Sequence, residues 1–189
     1  MKICIAGKNL IAVDAVKHII DYNIASKENI LILNNPEDEG VDTWQPSFLK
    51  FAKENSLSIT DISELYQIDD LVFFSLEYSK IIKPHLFKKS ALLFNIHFSL
   101  LPAYKGMYTS AHPILNGEQY SGVTLHKIDK GIDTGDIIDQ IKFDIDINDT
   151  AKDLYLKYLK NSVKLFKKNI NDIMRNNFSA ISQESFKST

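Results

Sequence analysis

Apolar residues come in short unbroken blocks through the first half of the chain, and in alternation or at helical spacing through the second. "KICIA" (2–6), closed by Gly7, predicts a buried strand, and "LIAVDAVKHII" (10–20) predicts the helix that follows it. "NILIL" (29–33) predicts a second strand, and "QPSFLKFAKENS" (45–56) a helix with Pro46 in its first turn. "LSIT" (57–60), "LVFFS" (71–75) and "ALLFN" (91–95) read as further strands, with a helix broken at Pro84 over 78–89. Strands that are apolar on both faces and alternate with helices imply a mostly parallel sheet covered on both sides. In the second half, "SGVTLHKID" (121–129) and "GDIIDQIKFDID" (135–146) alternate apolar with polar residues, as half-buried antiparallel strands do. Residues 150–174 predict one long amphipathic helix, with an apolar stripe of Leu154, Tyr155, Tyr158, Leu159, Val163, Phe166, Ile170, Ile173 and Met174.

Composition narrows the class. With 189 residues and 44% hydrophobic content the chain suits one packed domain, expected over 1–178, followed by a polar, mobile tail over 179–189. A net charge of -2 provides no general basic field for nucleic acid, so any anionic ligand must be met locally. A single cysteine, Cys4, leaves no disulfide framework or cysteine metal cluster, and it reads as a small core residue. No stretch approaches the roughly 20 uncharged apolar residues of a membrane span. The acidic "FDIDIND" (143–149) alternates like a half-exposed strand, so no metal is expected, and the lysines of the long helix read as a solvated face.

Candidate chemistry begins where "SALLF" runs into "NIHFSLLP". Asn95 and His97 stand two residues apart at the carboxyl end of a predicted parallel strand, where open α/β sheets bind ligands. A carboxamide can donate to a carbonyl oxygen as charge grows on it, and an imidazole can donate or move a proton near neutral pH. The pair fits equally a plainer role, satisfying backbone groups in a tight turn before Pro102. In "GIDTGD" (131–136), Asp133 lies between glycines in a loop that can approach a ligand closely. Beside His97 it would orient the imidazole, favour its protonated form and relay a proton; alone it is ordinary turn chemistry. Spacing does not decide whether the two loops meet.

"FNIHFSLLPAYKG" followed by "HPILNGEQYSGVTLHKIDKGIDTGDII" resembles the formyltransferases that use N10-formyltetrahydrofolate, with N-x-H, S-L-L-P and G-x-D-T-G-D-I in order. The likeness is specific over about 70–140 and looser back to Met1. It implies a Rossmann-like formyltransferase fold and a catalytic triad of Asn95, His97 and Asp133. Asn95 and protonated His97 would stabilise the oxyanion formed when an amine attacks the formyl carbon, while Asp133 holds His97 and helps to take the amine's proton. The resemblance also places the folate between "SLEYSKII" (75–82) and "DKGIDTG" (129–135), against Leu76, Tyr78, Ile82, Gly131 and Ile132. Glu77 departs from the small residue that many relatives carry there.

The acceptor is read from what is present and what is missing. The initiator-tRNA enzymes are expected to carry a further C-terminal domain and a basic surface, and the purine enzymes a glycine-rich phosphate loop where only Gly7 stands here. The dinucleotide fingerprint G-x-G-x-x-G is missing too. "LPAYKGMYTSAHPILNGE" (101–118) instead looks like sugar N-formyltransferases acting on nucleotide-linked 4-amino-4,6-dideoxyhexoses of the dTDP-glucose type. Tyr104, Met107 and Tyr108 would wall the deoxysugar, and Lys105 with Lys8 and Asn9 would meet its diphosphate. His112 is a further acceptor candidate, and Trp44 a candidate for base stacking. His18, His85 and His126 read as surface or core residues. The implied setting is cytoplasmic synthesis of surface polysaccharides such as lipopolysaccharide O-antigen, with a homodimer uncertain because relatives continue further. A formyltetrahydrofolate hydrolase, another folate-dependent formyltransferase, and a catalytically silent folate or sugar-nucleotide binder stand as alternatives.

Overall fold

The computed structural model describes residues 1–107 and 109–186. The chain divides into two compact units, Met1–Phe94 and Asn95–Thr189.

The first unit is built on β1 (Lys2–Gly7), which is followed by α1 (Asn9–Asp21) and by β2 (Ile30–Asn34). Then come α2 (Phe48–Glu54), the two-residue β3 (Ser58–Ile59), α3 (Ile62–Leu65) and β4 (Leu71–Leu76). These strands lie in the order β3-β2-β1-β4, all parallel, with β1 in the middle. Ile3, Cys4, Ile5 and Ala6 have no exposed surface, as both-face burial of a central parallel strand requires. Each fully buried Ile contributes roughly 1.5–3 kcal/mol of transfer free energy. Gly7 is dictated by proximity: a Cβ there would stand 2.0 Å from the Leu76 carbonyl oxygen.

Two predicted helices of this unit are shorter than expected. α2 starts after Pro46 because Ser47 caps it, accepting the Lys50 N–H at 3.0 Å. Over 78–89 only the single 3-10 turn Pro84–Leu86 forms. Ile82 and Phe87 are buried while Ile81 and Leu86 are exposed, so the inward residues are five apart and match no helical face.

β5 (Leu92–His97) spans the boundary and runs two residues beyond the predicted strand end at Asn95, so both Asn95 and His97 belong to the strand itself. In the second unit it is followed by the short α4 (His112–Leu115), then by β6 (Tyr120–Lys127) and β7 (Ile137–Asp144), which pair antiparallel. α5 (Ala151–Met174) packs on both. Thr150 and Asp153 form a reciprocal capping box at its start. The predicted stripe buries Leu154, Tyr158, Leu159, Phe166, Ile170 and Ile173, and adds Leu165. β6 is buried from Ser121 to His126 and is not the half-exposed strand its alternation suggested, because α5 packs on it and β7 pairs alongside.

The C-terminal segment, read as a mobile tail in the sequence, makes defined contacts as far as Phe186. Ile181 and Ile137 exchange both backbone hydrogen bonds, at 2.7 and 2.8 Å, and Gln183–Phe186 makes a 3-10 turn with Gln183 buried. Residues 187–189 lie outside the described residues.

Candidate functional site

Successive side chains of a strand point to opposite faces, so Asn95 and His97 share one face of β5 while Phe94 and Ile96 are buried. The turn that follows is fastened by Thr124 of β6. Its hydroxyl donates to the Ser99 carbonyl at 2.7 Å and accepts the Leu101 N–H at 3.0 Å. Gln140 on β7 donates to that hydroxyl and to the Leu101 carbonyl, and Ser99 donates to the Ala103 carbonyl. "SLLP", with its cis Leu101–Pro102 peptide, thus turns the backbone so that the Tyr104 carbonyl accepts a hydrogen bond from His97 Nε2 at 2.7 Å.

The loop carrying Asp133 is braced at its base. Asp129 accepts from the Gly131 N–H and from the Thr134 hydroxyl, and Gly135 is pressed so close to the Lys127 carbonyl that a Cβ would stand 1.9 Å from it. Asp133 itself has φ 51°, in the left-handed region where a non-glycine residue is held only by its surroundings. Its Oδ2 accepts the Gly106 N–H at 2.9 Å and lies 3.4 Å from His97 Nδ1. Its Oδ1 accepts from Asn95 Nδ2 at 3.2 Å and lies 3.4 Å from His126 Nε2. The two loops therefore meet, and the three residues singled out in the sequence form one cluster, with Asn95 hydrogen-bonded to Asp133 and His97 facing the same carboxylate.

The proton positions follow from these contacts. A 2.7 Å contact with a carbonyl requires a proton on His97 Nε2, so in the neutral ring Nδ1 faces Asp133 with a lone pair. Burial, with the ring 8% exposed, pulls the His97 pKa down; Asp133 and the Tyr104 carbonyl push it up, and the net shift is downward from 6.5. Asp133 acts in the direction the sequence suggested, but burial outweighs it and the ring rests neutral at pH 7. For Asp133 burial pushes the carboxyl up, yet His126, His97 and the Gly106 N–H outweigh it and hold the carboxylate below its ordinary value. The gap between His97 Nδ1 and Asp133 is thus a place ready to take a proton.

Two further residues of the site escape the sequence reading. His126, 2% exposed, donates from Nδ1 to the Lys127 carbonyl at 2.8 Å, which leaves Nε2 to accept from Asn95 Nδ2 at 3.1 Å. Both hydrogens of the Asn95 amide are therefore directed, one to His126 and one to Asp133. The β6–β7 register slips between Leu125 and His126, and such bulges re-aim side chains. The signal was present: Thr124 and His126 repeat the two-residue polar spacing of Asn95 and His97. The second missed residue is Gln183, which donates to the Asp133 and Gly135 carbonyls.

The outer candidates are less uniform. Leu76 and Ile82 are buried and Tyr78 is half-buried, while Gly131 and Ile132 are exposed beside Asp133. Tyr104 contributes its carbonyl to His97, whereas its phenol donates to Glu118 at 2.5 Å and accepts from Asn116. Lys105 and Met107 are exposed, and Tyr108 lies outside the described residues. Lys8 and Asn9 line a cleft of about 450 Å³, but Glu37, Asp38 and Glu39 line it too. That sign of charge opposes the expected diphosphate contact there.

Residues 25–170 match the formyl transferase family. Over the whole chain the structure resembles the N-formyltransferase from Helicobacter canadensis, crystallised with folinic acid and dTDP-3-aminofucose. That match has 47% identity and a TM-score of 0.95, and spans 70% of that chain. It also resembles WlaRD, described as a sugar 3N-formyl transferase and crystallised with dTDP and 5-N-formyl-THF. Identity is 52% and the TM-score 0.94, over all of this chain and 68% of the other. The bifunctional polymyxin resistance protein ArnA of Wigglesworthia glossinidia brevipalpis is 35% identical over 132 residues, which are 69% of this chain but only 20% of that protein. Match to the family over most of the length, with the α/β order of elements and the Asn95, His97 and Asp133 cluster in place, means that this chain belongs to the formyl transferase family.

Proposed function

We propose that the protein transfers a formyl group from N10-formyltetrahydrofolate to the amine of a dTDP-linked amino-deoxysugar. The observation that carries this reading is the convergence of Asn95, His97 and Asp133 in one cluster. The substrates are supported by the folate and dTDP ligands of the two similar crystal structures. The first is in complex with a 3-amino sugar and the second is described as a sugar 3N-formyl transferase, which supports an amine on carbon 3 beside the 4-amino position suggested by the sequence. Synthesis of surface polysaccharides in the cytoplasm is the accompanying proposal. Among the described residues, no helix is long and apolar enough to cross a membrane.

The donor set suits a carbonyl group. When bound, N10-formyltetrahydrofolate supplies an electrophilic formyl carbon, and exposed Gly131 and Ile132, beside Asp133, would line its path. Asn95 would donate to the formyl oxygen by rotating its carboxamide as a unit, exchanging its bond to Asp133 for one to the substrate. Donors of this kind each contribute about a hundredfold to a thousandfold in rate. Asp133 and His97 Nδ1 receive the proton lost by the attacking amine, and the ring, once protonated, is stabilised by the carboxylate it faces. Protonated His97 therefore arises in the reaction and would give its proton to N10 as the carbon–N10 bond breaks, so the released tetrahydrofolate carries it and the ring returns to its neutral resting state.

The test is incubation with N10-formyltetrahydrofolate and a panel of dTDP-3-amino and dTDP-4-amino sugars, following tetrahydrofolate release and the mass of the sugar product. Formylation of the 3-amino sugars at higher kcat/KM supports the reading. Release without any amine would indicate a hydrolase, and no turnover with any acceptor would leave only a binder.

A further inference from the structure

Gln183 lies in a segment that the sequence suggests is mobile, yet its side chain is 4% exposed. Its Nε2 donates to the Asp133 carbonyl at 2.9 Å and to the Gly135 carbonyl at 2.8 Å. These two acceptors fix the amide orientation, since the reverse would set Oε1 against both carbonyl oxygens. Oε1 is left buried, with no hydrogen-bond partner among the described residues. An unmet buried acceptor is destabilising, so this glutamine is not explained by stability alone. The segment is anchored two residues before Gln183, where Ile181 pairs with Ile137, and Ile137 lies two residues after Gly135. The two short stretches thus form one corner behind the loop. In front of it, the Asp133 carboxylate is held by the Gly106 N–H and Asn95 while its backbone sits at φ 51°.

We infer that Gln183 is a positioning residue for formyl transfer: its amide holds the Asp133 and Gly135 carbonyls so that the Asp133 carboxylate stays seated between Asn95 and His97. This rests on the reading of those three residues as the catalytic group. The left-handed backbone of Asp133 would otherwise relax toward ordinary φ, and the carboxylate would move with it. A displacement of about 1 Å at a reacting group lowers the rate by up to about a hundredfold.

The test compares Gln183→Leu and Gln183→Glu in the full chain with the unmodified protein and with Asp133→Asn. Gln183→Leu removes the donor, and Gln183→Glu keeps the shape but sets carboxylate oxygens against two carbonyls. Both are expected to lower kcat by about tenfold to a hundredfold while KM for each substrate changes by less than about threefold. The His97 ring, followed by NMR, is expected to titrate at lower pH in Gln183→Leu, because it loses the opposing influence of Asp133. Phe186→Ala, in the same segment, is expected to keep kcat. Unchanged kcat and His97 titration in both Gln183 variants, with Asp133→Asn inactive, would overturn the inference alone. A loss that merely tracks the folded fraction would also overturn it. Full activity in Asp133→Asn would overturn the reading of the site itself.

Discussion

The central strands of the first unit and the strands of the second that carry the site are both buried, but they are filled with different chemistry. β1 presents Ile3, Cys4, Ile5 and Ala6, and β4 is buried throughout with Phe73 and Phe74 among its residues. In the second unit the buried positions include His97, Ser99, Ser121, Thr124, His126 and Gln183, and each of them makes at least one hydrogen bond, while Gln183 Oε1 and the Ser162 hydroxyl have none among the described residues. Apolar burial is non-directional, so the first kind of core tolerates volume-conserving exchange. A bonded polar core does not, because removing one group leaves another unmet in a low dielectric. The same directed bonds are what aim Asn95, His97 and Asp133 at a common point.

That contrast can be broken most strongly at Asp133. Asp133→Asn removes the proton acceptor but keeps shape, and is expected to lower kcat by about a thousandfold or more with the fold intact by circular dichroism. In the first unit the effect should be of the opposite kind. Phe74→Ala opens a cavity beside Phe94, whose ring centroid is 5.3 Å away, and should destabilise by about 3–5 kcal/mol in denaturant titration. Its kcat per folded molecule should stay near that of the unmodified protein. Thr124→Val is nearly isosteric yet leaves the Leu101 N–H and Gln140 without their shared partner. It should cost about 1–3 kcal/mol and, unlike Phe74→Ala, also lower kcat several-fold through the Tyr104 carbonyl.

The smallest expected effect is on stability against pH. His97 in the folded protein titrates below its ordinary 6.5, so on acidification the unfolded chain takes up the proton first. The stability associated with the neutral ring is complete above that range and is lost as pH falls from there through the folded value. Asp133, also lowered, contributes in full above its ordinary 3.8, and that contribution is lost as pH falls from there through its folded value. The melting temperature should fall between about pH 7.5 and about pH 5.5, and the fall should be smaller in His97→Asn.

Much of this was legible in the sequence because apolar periodicity and motif order are local properties. The blocks that became β1, β2, β4 and α5 lie within a residue or two of their predicted bounds. Asn95, His97 and Asp133 stood out because polar groups at the end of an apolar strand and between glycines are unusual. His126 did not, since what turns it to Asn95 is a slip of register against β7 that no spacing within β6 shows. Gln183 was hidden for a related reason: its partners lie 48 and 50 residues back, and a short polar stretch looks mobile until those bonds are known. The partners of the Tyr104 phenol, Glu118 and Asn116, lie 14 and 12 residues on and were likewise not readable from spacing.

The central claim, that Asn95, His97 and Asp133 form the formyl-transfer centre, is tested most directly by single-turnover transfer from N10-formyltetrahydrofolate to a dTDP-3-amino sugar, comparing the unmodified chain with His97→Asn and Asn95→Ala. Formylated sugar from the unmodified protein, slowed by about a hundredfold or more in both variants at equal folded fraction, is the predicted result. Transfer at the unmodified rate in either variant would contradict it.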